Sequence, residues 1–389
     1  MNIAIFTNNY LPNPYGVATS IETFRREFEK RGHRVYIFAP KWKGYQDKNP
    51  QVFRYPSLDI EIKFKFPLAI PYSWKIGKIL KSLNIDIIHS QHPNLLGTAA
   101  MKWAKKLARR QGGKKIPLIF TWHTLYDQYA HFAKIIPSKI AARYMINKAV
   151  RYADRADAVI VPTDSIIPIL RCWGVRNKKI IPVATGVEGR DFADSDRNAM
   201  RNKYKIAANE ILLFSSHRLT EEKNMIFLFQ AVLPLLKNKQ VKFLVAGDGY
   251  LASELKNFCK KNNVADRVFF CGIVQRAEIK NYYAAADIFV HASKSETQGM
   301  VISEAMYAGL PIVAVSATGA KSLVLNGGNG FLVSEKEEEF SEAVLKLVNN
   351  KDLRNKFSEV SKKIARTQFT AKICAEKMLT VYREAIERK

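Results

Sequence analysis

Long hydrophobic runs are missing from this chain of 389 residues, and no stretch approaches the ~20 apolar residues needed to span a bilayer. Cysteine is scarce, and the spacing of the four cysteines fits no metal site, which is typical of reduced packing residues in a cytoplasmic protein. The first residues carry no basic segment and run directly into an apolar pattern. We therefore expect no signal peptide and no spanning helix.

Acidic residues are also few. The chain has 62 Lys and Arg but 35 Asp and Glu, a formal net charge of +27. The imbalance is uneven, because residues 1–190 hold a net +20 and residues 191–389 hold the remaining +7. A basic N-terminal half attracts a polyanion, either nucleic acid or an anionic bilayer. No nucleic-acid-binding motif accompanies the charge, so we expect no nucleic-acid partner.

The chain is long and apolar enough for two packed domains, with 47% hydrophobic residues. Strand-like runs alternating with helical spacing occur in two series: 3–6, 35–39, 85–89, 117–121 and 158–162, then 210–215, 242–246, 267–271, 288–291 and 311–315. This α/β pattern predicts two Rossmann-like, doubly wound domains whose strand ends face a central cleft. The predicted divisions are residues 1–185, residues 186–370 and a C-terminal helix over 371–389 that could pack back on the first domain.

The segment from Ser293 to Met306 is the most informative. Glu296 and Glu304 stand eight positions apart, with Gly299 between them. Gly299 disfavours one continuous helix and instead predicts a loop with Glu296, followed by a helix with Glu304 about one turn inside. The N–H groups of Gly299, Met300 and Val301 would then form an anion site at the helix start. Two carboxylates beside an anion site suit a ligand with hydroxyls and phosphates, such as a nucleotide sugar, although a loop acid and an exposed helix acid would give the same spacing.

Cations and glycines follow other predicted strands. Arg218 and Lys223 follow the run 210–215, where two positive charges would neutralise a diphosphate, unless this is a surface loop of mixed charge. Three predicted turns would allow close backbone contact with a phosphate or nucleotide, and a tight turn explains each of them equally well. They are the loop ending at Gly16, the Gly247 turn, and the segment Gly272, Ile273 and Val274.

Histidines and aspartates give weaker signals. His123 ends a predicted strand and could bond a sugar hydroxyl or a phosphate, or move a proton, although a lone histidine is more often structural. His89 and His92 lack a third metal ligand. Asp194-Ser195-Asp196 has the form of a metal–diphosphate motif, but its place in an irregular linker favours a polar turn. We therefore expect no bound metal and no cofactor.

Two stretches of the N-terminal half combine basic residues with aromatic ones, over 64–81 and 101–115. Lysine and arginine beside tryptophan and phenylalanine suit binding at an anionic lipid surface. A solvated helix face explains the same composition, so both interpretations stay open at this point.

Taken together, the motifs resemble the retaining GT-B glycosyltransferases of family four, over nearly the whole chain. The resemblance rests on the Gly16 loop, His123, the 218–224 and 245–249 segments and, above all, Glu296-Thr297-Gln298-Gly299 with Glu304 to Pro311. It implies that Arg218 and Lys223 hold the diphosphate, Glu304 the ribose and Glu296 the donor sugar. It also implies that Gly16 and the backbone of residues 299–301 contact the donor, that His123 lies near the reaction centre, and that residues 272–274 face the base. Thr318 to Ser322 departs from the pattern, since many relatives carry two glycines and an acidic residue there.

Within that family the chain looks most like the glycolipid branch, such as bacterial diacylglycerol glucosyltransferases and phosphatidylinositol mannosyltransferases. The basic N-terminal half and the run from Trp122 to Tyr129 carry this likeness. It implies a cytoplasmic enzyme on the inner face of the membrane that moves glucose from UDP-glucose to a lipid, with UDP-galactose and GDP-mannose as other donors. A soluble anionic acceptor is the alternative enzyme, and a non-catalytic membrane- or nucleic-acid-binding module the alternative class.

Overall fold

A computed structural model describes residues 1–13, 16–62, 64–110, 112–126 and 138–387. The chain divides into two compact units, one formed by Met1–Gly186 with Ala371–Lys389 and the other by Val187–Thr370. Each unit is built on a parallel sheet covered by helices. No helix in the described part of the chain combines the length and the hydropathy that a membrane span requires.

The first unit contains a seven-stranded parallel sheet in the order β3-β2-β1-β6-β7-β8-β9 and a separate two-stranded antiparallel hairpin, β4-β5. The strands are β1 (Asn2–Phe6), β2 (Arg34–Pro40), β3 (Val52–Tyr55), β4 (Ser57–Ile62), β5 (Phe64–Ala69), β6 (Ile87–Ser90), β7 (Leu118–Thr121), β8 (Ala158–Val161) and β9 (Ile180–Pro182). The helices are α1 (Gly16–Lys30), α2 (Trp74–Ser82), α3 (Leu96–Arg110), α4 (Ser138–Ala153), α5 (Ile166–Cys172) and α14 (Ala371–Glu387).

Side chains of this sheet alternate between two hydrophobic cores, because successive strand residues point to opposite faces. In β1, Ala4 and Phe6 pack with the helices α2 to α5, whereas Ile3 and Ile5 pack with α1 and α14. The strands are apolar throughout because both faces of the sheet are buried. The sheet thus separates two helical layers, and the C-terminal helix belongs to the layer that contains α1.

The second unit is a six-stranded parallel sheet in the order β12-β11-β10-β13-β14-β15. Its strands are β10 (Ile211–Ser216), β11 (Val241–Ala246), β12 (Val268–Gly272), β13 (Ile288–His291), β14 (Ile312–Val315) and β15 (Gly330–Val333). Its helices are α6 (Arg197–Lys203), α7 (Met225–Leu236), α8 (Ala252–Lys261), α9 (Ile279–Ala285), α10 (Met300–Tyr307), α11 (Thr318–Leu323), α12 (Glu337–Asn349) and α13 (Lys351–Gln368). The direction of the strand order reverses between β10 and β13, and a doubly wound sheet binds its ligand at such a point.

Two local differences from the sequence prediction matter for the site. Helix α1 begins at Gly16, so Gly16 is the first helical residue and not, as predicted, the last residue of a loop. The basic stretch 64–81 is not one helix face, because Phe64–Ala69 forms strand β5 and the helix starts only at Trp74. The side chain of Ser73 caps that helix by accepting a hydrogen bond from the Ile76 N–H.

Candidate active site

The central feature of the second unit is an ion pair at the point where its strand order reverses. Lys223 follows β10 and Glu296 follows β13, and these two strands are parallel neighbours. Lys223 Nζ donates to Glu296 Oε1 at 2.7 Å. Ser295 Oγ donates to the Glu222 carbonyl at 3.0 Å, which joins the two segments beside the pair. Two residues 73 positions apart in the sequence are therefore held together at the carboxyl edge of the sheet.

Two buried histidines lie beside the ion pair. His217 Nε2 and His291 Nδ1 are 2.9 Å apart, and His217 Nδ1 is 4.0 Å from Glu296 Oε1. Burial lowers the pKa of His291 to about 4 and moves the pKa of His217 well below its ordinary value. Both rings are therefore neutral near pH 7. The sequence prediction missed this pair, although both residues stand at ends of predicted strands.

Glu296 is held as an anion. Burial raises its pKa, but Lys223, with smaller contributions from His217 and His291, more than offsets burial and lowers the pKa to about 2. An ionised carboxylate at this position accepts hydrogen bonds and stabilises positive charge, which suits a sugar with hydroxyl groups and a cationic transition state.

Arg218 also lies at this edge but has another carboxylate partner. Its Nη2 atom is 3.0 Å from Glu222 Oε1, and the Glu222 side chain is almost completely buried. The Arg218 side chain is itself partly exposed. The sequence prediction assigned Arg218 to a diphosphate and did not include Glu222, its ion-pair partner four residues later.

The start of α10 has the predicted form. Gly299 caps the helix in the left-handed region at φ +78°, where a residue with a side chain would be strained. Met300 and Val301 form the first turn, whose N–H groups precede the intrahelical hydrogen-bond ladder. The segment from Thr318 to Ser322, which departs from the family pattern, supports the loop that contains Glu296. The Thr318 hydroxyl and the Gly319 N–H both donate to the Glu296 carbonyl, at 2.7 and 3.1 Å.

Glu304 lies inside α10 with its carboxylate buried and held on both oxygens. Arg276 Nη1 donates to Oε1, and the Tyr283 hydroxyl donates to Oε2 at 2.9 Å. Arg276 also pairs with Asp191 through its Nε atom, at 3.1 Å. Neither Arg276 nor Tyr283 was among the predicted site residues, and their spacing in the sequence gives no signal for the contact.

The glycine turns differ in what they require. A Cβ atom on Gly247 would lie 1.8 Å from the His217 carbonyl oxygen. This glycine therefore lets the turn that follows β11 pack against the turn that follows β10. Gly272 has a φ of +67° with nothing near its missing side chain, and it is followed by the exposed Ile273 and the partly buried Val274. Gly247 N–H donates to the Gly272 carbonyl at 2.7 Å, which joins the two turns.

In the first unit, His123 lies at the end of β7 beside Gln91, which follows β6. Its Nε2 atom is 2.7 Å from Gln91 Oε1. Burial lowers the pKa of His123 to about 3, so the ring is neutral near pH 7 and serves as a hydrogen-bonding group. Together with Thr121, these residues line a small cavity of about 10 Å³, with room for one water molecule.

Neither of the two weak metal motifs has the geometry of a metal site. Both ring nitrogens of His89 are occupied, by the Tyr382 hydroxyl at 2.5 Å and the Thr121 hydroxyl at 2.6 Å. Asp196 caps α6 by accepting a hydrogen bond from the Asn198 N–H at 2.7 Å. Within residues 1–13, 16–62, 64–110, 112–126 and 138–387, no three His, Cys, Asp or Glu side chains cluster as metal ligands would.

Comparison with known proteins assigns the family. Residues 14–189 match the model of Glycosyltransferase Family 4, and residues 196–364 match that of Glycosyl transferases group 1. An alpha-monoglucosyldiacylglycerol synthase of Streptococcus pneumoniae is 34% identical over 81% of this chain and 71% of the relative. An enzyme of the same name from Acholeplasma laidlawii is 27% identical over 100% of this chain and 98% of its own. A GDP-mannose-dependent alpha-mannosyltransferase of Mycobacterium tuberculosis is 26% identical over 90% of this chain and 89% of its own.

Solved structures give the same fold. Anabaena HepE in complex with UDP and glucose superposes with a TM-score of 0.76 over 97% of this chain and 98% of the other, at 20% identity. The chain therefore belongs to the family-four, group-1 glycosyltransferases of GT-B fold, and it is a glycosyltransferase.

The lowered pKa of Glu296 predicts a pH-dependent stability. A carboxylate with a depressed folded-state pKa contributes its full stabilisation above the ordinary glutamate pKa of about 4.3 and loses it as the pH falls toward the folded-state value. The difference in unfolding free energy between wild type and Glu296→Gln should therefore shrink as the pH falls from about 5 to about 2. Urea unfolding over this range measures it, with exposed Glu254→Gln as control. A difference in unfolding free energy that does not change with pH would contradict the lowered pKa of Glu296.

Proposed function

We propose that this enzyme transfers a hexose from a nucleotide diphosphate sugar to a hydroxyl of a membrane lipid, with retention of anomeric configuration. UDP-glucose is the leading donor and diacylglycerol the leading acceptor. The names of two relatives, both alpha-monoglucosyldiacylglycerol synthases, support this choice. The GDP-mannose-dependent relatives support GDP-mannose as the second donor to test.

The donor would bind at the carboxyl edge of the second sheet. Lys223 and Arg218 supply positive charge for the diphosphate, and the start of α10 supplies N–H groups. In the proposed reaction the bond between the anomeric carbon and the diphosphate oxygen breaks, and the acceptor oxygen bonds the same face of the sugar. The acceptor proton passes to the departing diphosphate. The carboxylate of Glu296 stabilises the positive sugar between these events.

No protein base is required for this step, because the leaving group takes the proton. His123, His217 and His291 are neutral near pH 7, which suits hydrogen bonding and positioning. Protein cations offset the charge that develops on the diphosphate, so the proposed route runs without a metal.

The observation that carries the lipid acceptor is the charge of one helical layer in the first unit. Helices α2, α3 and α4 contain twelve Lys and Arg and no Asp or Glu. They share one layer: Gly77 of α2 faces the Trp103 ring of α3, and the Tyr152 hydroxyl of α4 donates to the Gly97 carbonyl of α3 at 2.8 Å. On the other side of the sheet, α1 and α14 together hold six basic and six acidic residues. A flat anionic surface would therefore be attracted to one side only.

Exposed apolar side chains accompany the basic layer. Tyr72 and Trp74 stand at the start of α2 with 76% and 69% exposure, and Ile140 and Tyr144 stand one turn apart on α4 with 62% and 64%. Lys78 Nζ lies 3.6 Å from the centre of the Trp74 ring. Aromatic rings beside lysines favour the interface between headgroups and acyl chains. Some residues of the predicted membrane-binding segments lie outside the described part of the chain. They are residue 63 beside the 64–81 stretch, residue 111 of the 101–115 stretch, and residues 127–129 of the run that starts at Trp122.

The first prediction from the proposed function concerns the reaction itself. Purified enzyme given labelled UDP-glucose and vesicles of diacylglycerol with anionic lipid should produce an alpha-linked, lipid-extractable product. Product should fall when the anionic lipid is left out and when salt is raised, because salt screens the basic layer. Transfer to a soluble anionic sugar that proceeds equally well without vesicles would replace the lipid by the alternative acceptor. Binding without any nucleotide release, from UDP-glucose or GDP-mannose, would contradict the proposed activity.

The second prediction concerns the two cations. Arg218→Ala and Lys223→Ala should each lower turnover by two or more orders of magnitude, because each removes a charge that stabilises the departing diphosphate. Each also leaves a largely buried carboxylate without its cation, at a cost of about 3–5 kcal/mol in stability where the carboxylate is fully buried. The double variants Arg218→Ala/Glu222→Gln and Lys223→Ala/Glu296→Gln should recover stability without activity. Near-normal turnover in both folded single variants would refute the site assignment.

The third prediction concerns the orientation on the membrane. Lys105→Glu/Lys106→Glu on the exposed side of α3 should weaken binding to anionic vesicles by about 30-fold or more, since each basic residue near such a surface contributes about 1 kcal/mol. Lys372→Glu/Lys377→Glu on the exposed side of α14 changes the net charge equally and should have a small effect. Vesicle co-sedimentation measures both. Equal losses would show that net charge alone drives binding and that the basic layer has no special role.

A further inference from the structure

The contact between Arg276 and Glu304 has no place in the function described so far. Arg276 lies four residues after the end of β12, in the loop that contains Ile273 and Val274. Its side chain is 41% exposed, whereas that of Glu304 is 7% exposed. Arg276 is therefore the more exposed partner of a nearly buried carboxylate.

The carboxylate of Glu304 is fixed from two directions. Arg276 donates to Oε1, and the buried Tyr283 hydroxyl donates to Oε2. Burial and the charge of Glu304 move the pKa of Tyr283 well above its ordinary value, so its hydroxyl stays a donor. Asp191 pairs with the Nε atom of Arg276 at 3.1 Å and fixes the guanidinium in turn. The orientation of the Glu304 oxygens thus depends on a chain of three further side chains.

This arrangement leaves accepting capacity that matches a vicinal diol. A carboxylate offers about four lone-pair directions, two on each oxygen. One direction on each oxygen is taken by Arg276 and Tyr283, so one remains on each. Two neighbouring hydroxyls, such as the 2′ and 3′ hydroxyls of a ribose, could each donate a hydrogen bond to one of these oriented carboxylate oxygens.

We propose that Arg276 is a positioning residue for the donor nucleotide, because it orients Glu304 to accept hydrogen bonds from both ribose hydroxyls. Arg276 thereby sets a preference for ribose over deoxyribose. The proposal rests on the proposed function, since it requires a nucleotide donor at the start of α10. It adds a specificity determinant to that site, in a residue outside the carboxylate that accepts the hydroxyls.

The test compares UDP with 2′-deoxy-UDP by calorimetry on the full chain, with GDP and 2′-deoxy-GDP as a second pair. Wild type should bind the ribose form about 10- to 100-fold more tightly, the range for a hydrogen bond to a charged group. Arg276→Gln should bind UDP about tenfold more weakly and 2′-deoxy-UDP nearly as before, so that the preference for ribose falls about tenfold, to between about 1- and 10-fold. Arg276→Lys, which keeps a charge at Glu304, should retain part of the preference.

Arg197→Gln is the matched control. Arg197 is 48% exposed and pairs with Asp287 at 2.6 Å in the same unit, so its loss removes an arginine–carboxylate pair of similar exposure that has no contact with Glu304. It should leave the preference for ribose unchanged. Circular dichroism checks the fold of each variant, and Arg276→Lys carries the comparison if Arg276→Gln does not fold.

The outcomes separate the proposals. Equal weakening of UDP and 2′-deoxy-UDP in Arg276→Gln would overturn the positioning role and leave the donor site intact. Tighter UDP binding in Arg276→Gln would also overturn it, because Arg276 would then be a competitor of the ribose. Wild type that binds the ribose and deoxyribose forms equally well would overturn this inference, because the hydroxyls would then not be recognised, and would leave the proposed function intact. Wild type that binds none of the four nucleotides would overturn the proposed function together with this inference.

Discussion

The ion pair between Lys223 and Glu296 is the interaction on which the site in the second unit depends. A buried carboxylate or ammonium costs several kcal/mol unless it is paired and hydrogen-bonded, so these two largely buried groups stabilise each other. The two side chains meet because β10 and β13 pair in a fixed parallel register, with Leu213 opposite Ile288 and Phe214 opposite Phe289. A slip by one residue would displace the loops by about 3.3 Å and separate the 2.7 Å contact. The apolar register of the strands therefore determines the chemistry at their ends.

The first sheet shows the same dependence in a different form. Its two faces bury different sets of apolar residues, and each set has its own helical layer. Most of the charged side chains lie on the outer sides of the helices, where the layers can differ with little effect on the core, whereas Glu22 and Glu27 of α1 are buried and paired with basic residues of the same helix or with the basic residue that follows it. One layer carries only basic residues, and the other balances its charges. The strongly positive first half of the chain is thus mostly a property of one side of one sheet.

The sequence predicted the architecture well, because a parallel sheet buried on both faces requires apolar strands that are visible as runs. The run at 288–291 and the start of α10 after Gly299 agree with the structure. Features without an apolar signal were not predicted. Strand β5 of the hairpin lies within the basic, aromatic stretch over 64–81, whose composition does not distinguish a strand from a helix, and the start of α1 at Gly16 has no residue that marks a helix cap. Side-chain partners such as His217 and Arg276 depend on contacts between distant segments, which a single sequence does not reveal.

Carboxylates pair with each of the three cations described at the edge of the second sheet: Lys223 with Glu296, Arg218 with Glu222, and Arg276 with Glu304. The carboxylate of each pair offsets part of the positive potential of its cation, so the pairs attract a simple anion less than three isolated cations would. A nucleotide sugar differs from a simple anion because it brings phosphates for the cations and hydroxyls for the carboxylates. Under the proposed function, such a ligand would satisfy both members of the Lys223–Glu296 pair. Selectivity for the donor over free phosphate would then follow in part from the pairing, because a ligand without hydroxyls leaves Glu296 without compensation when it draws Lys223 away.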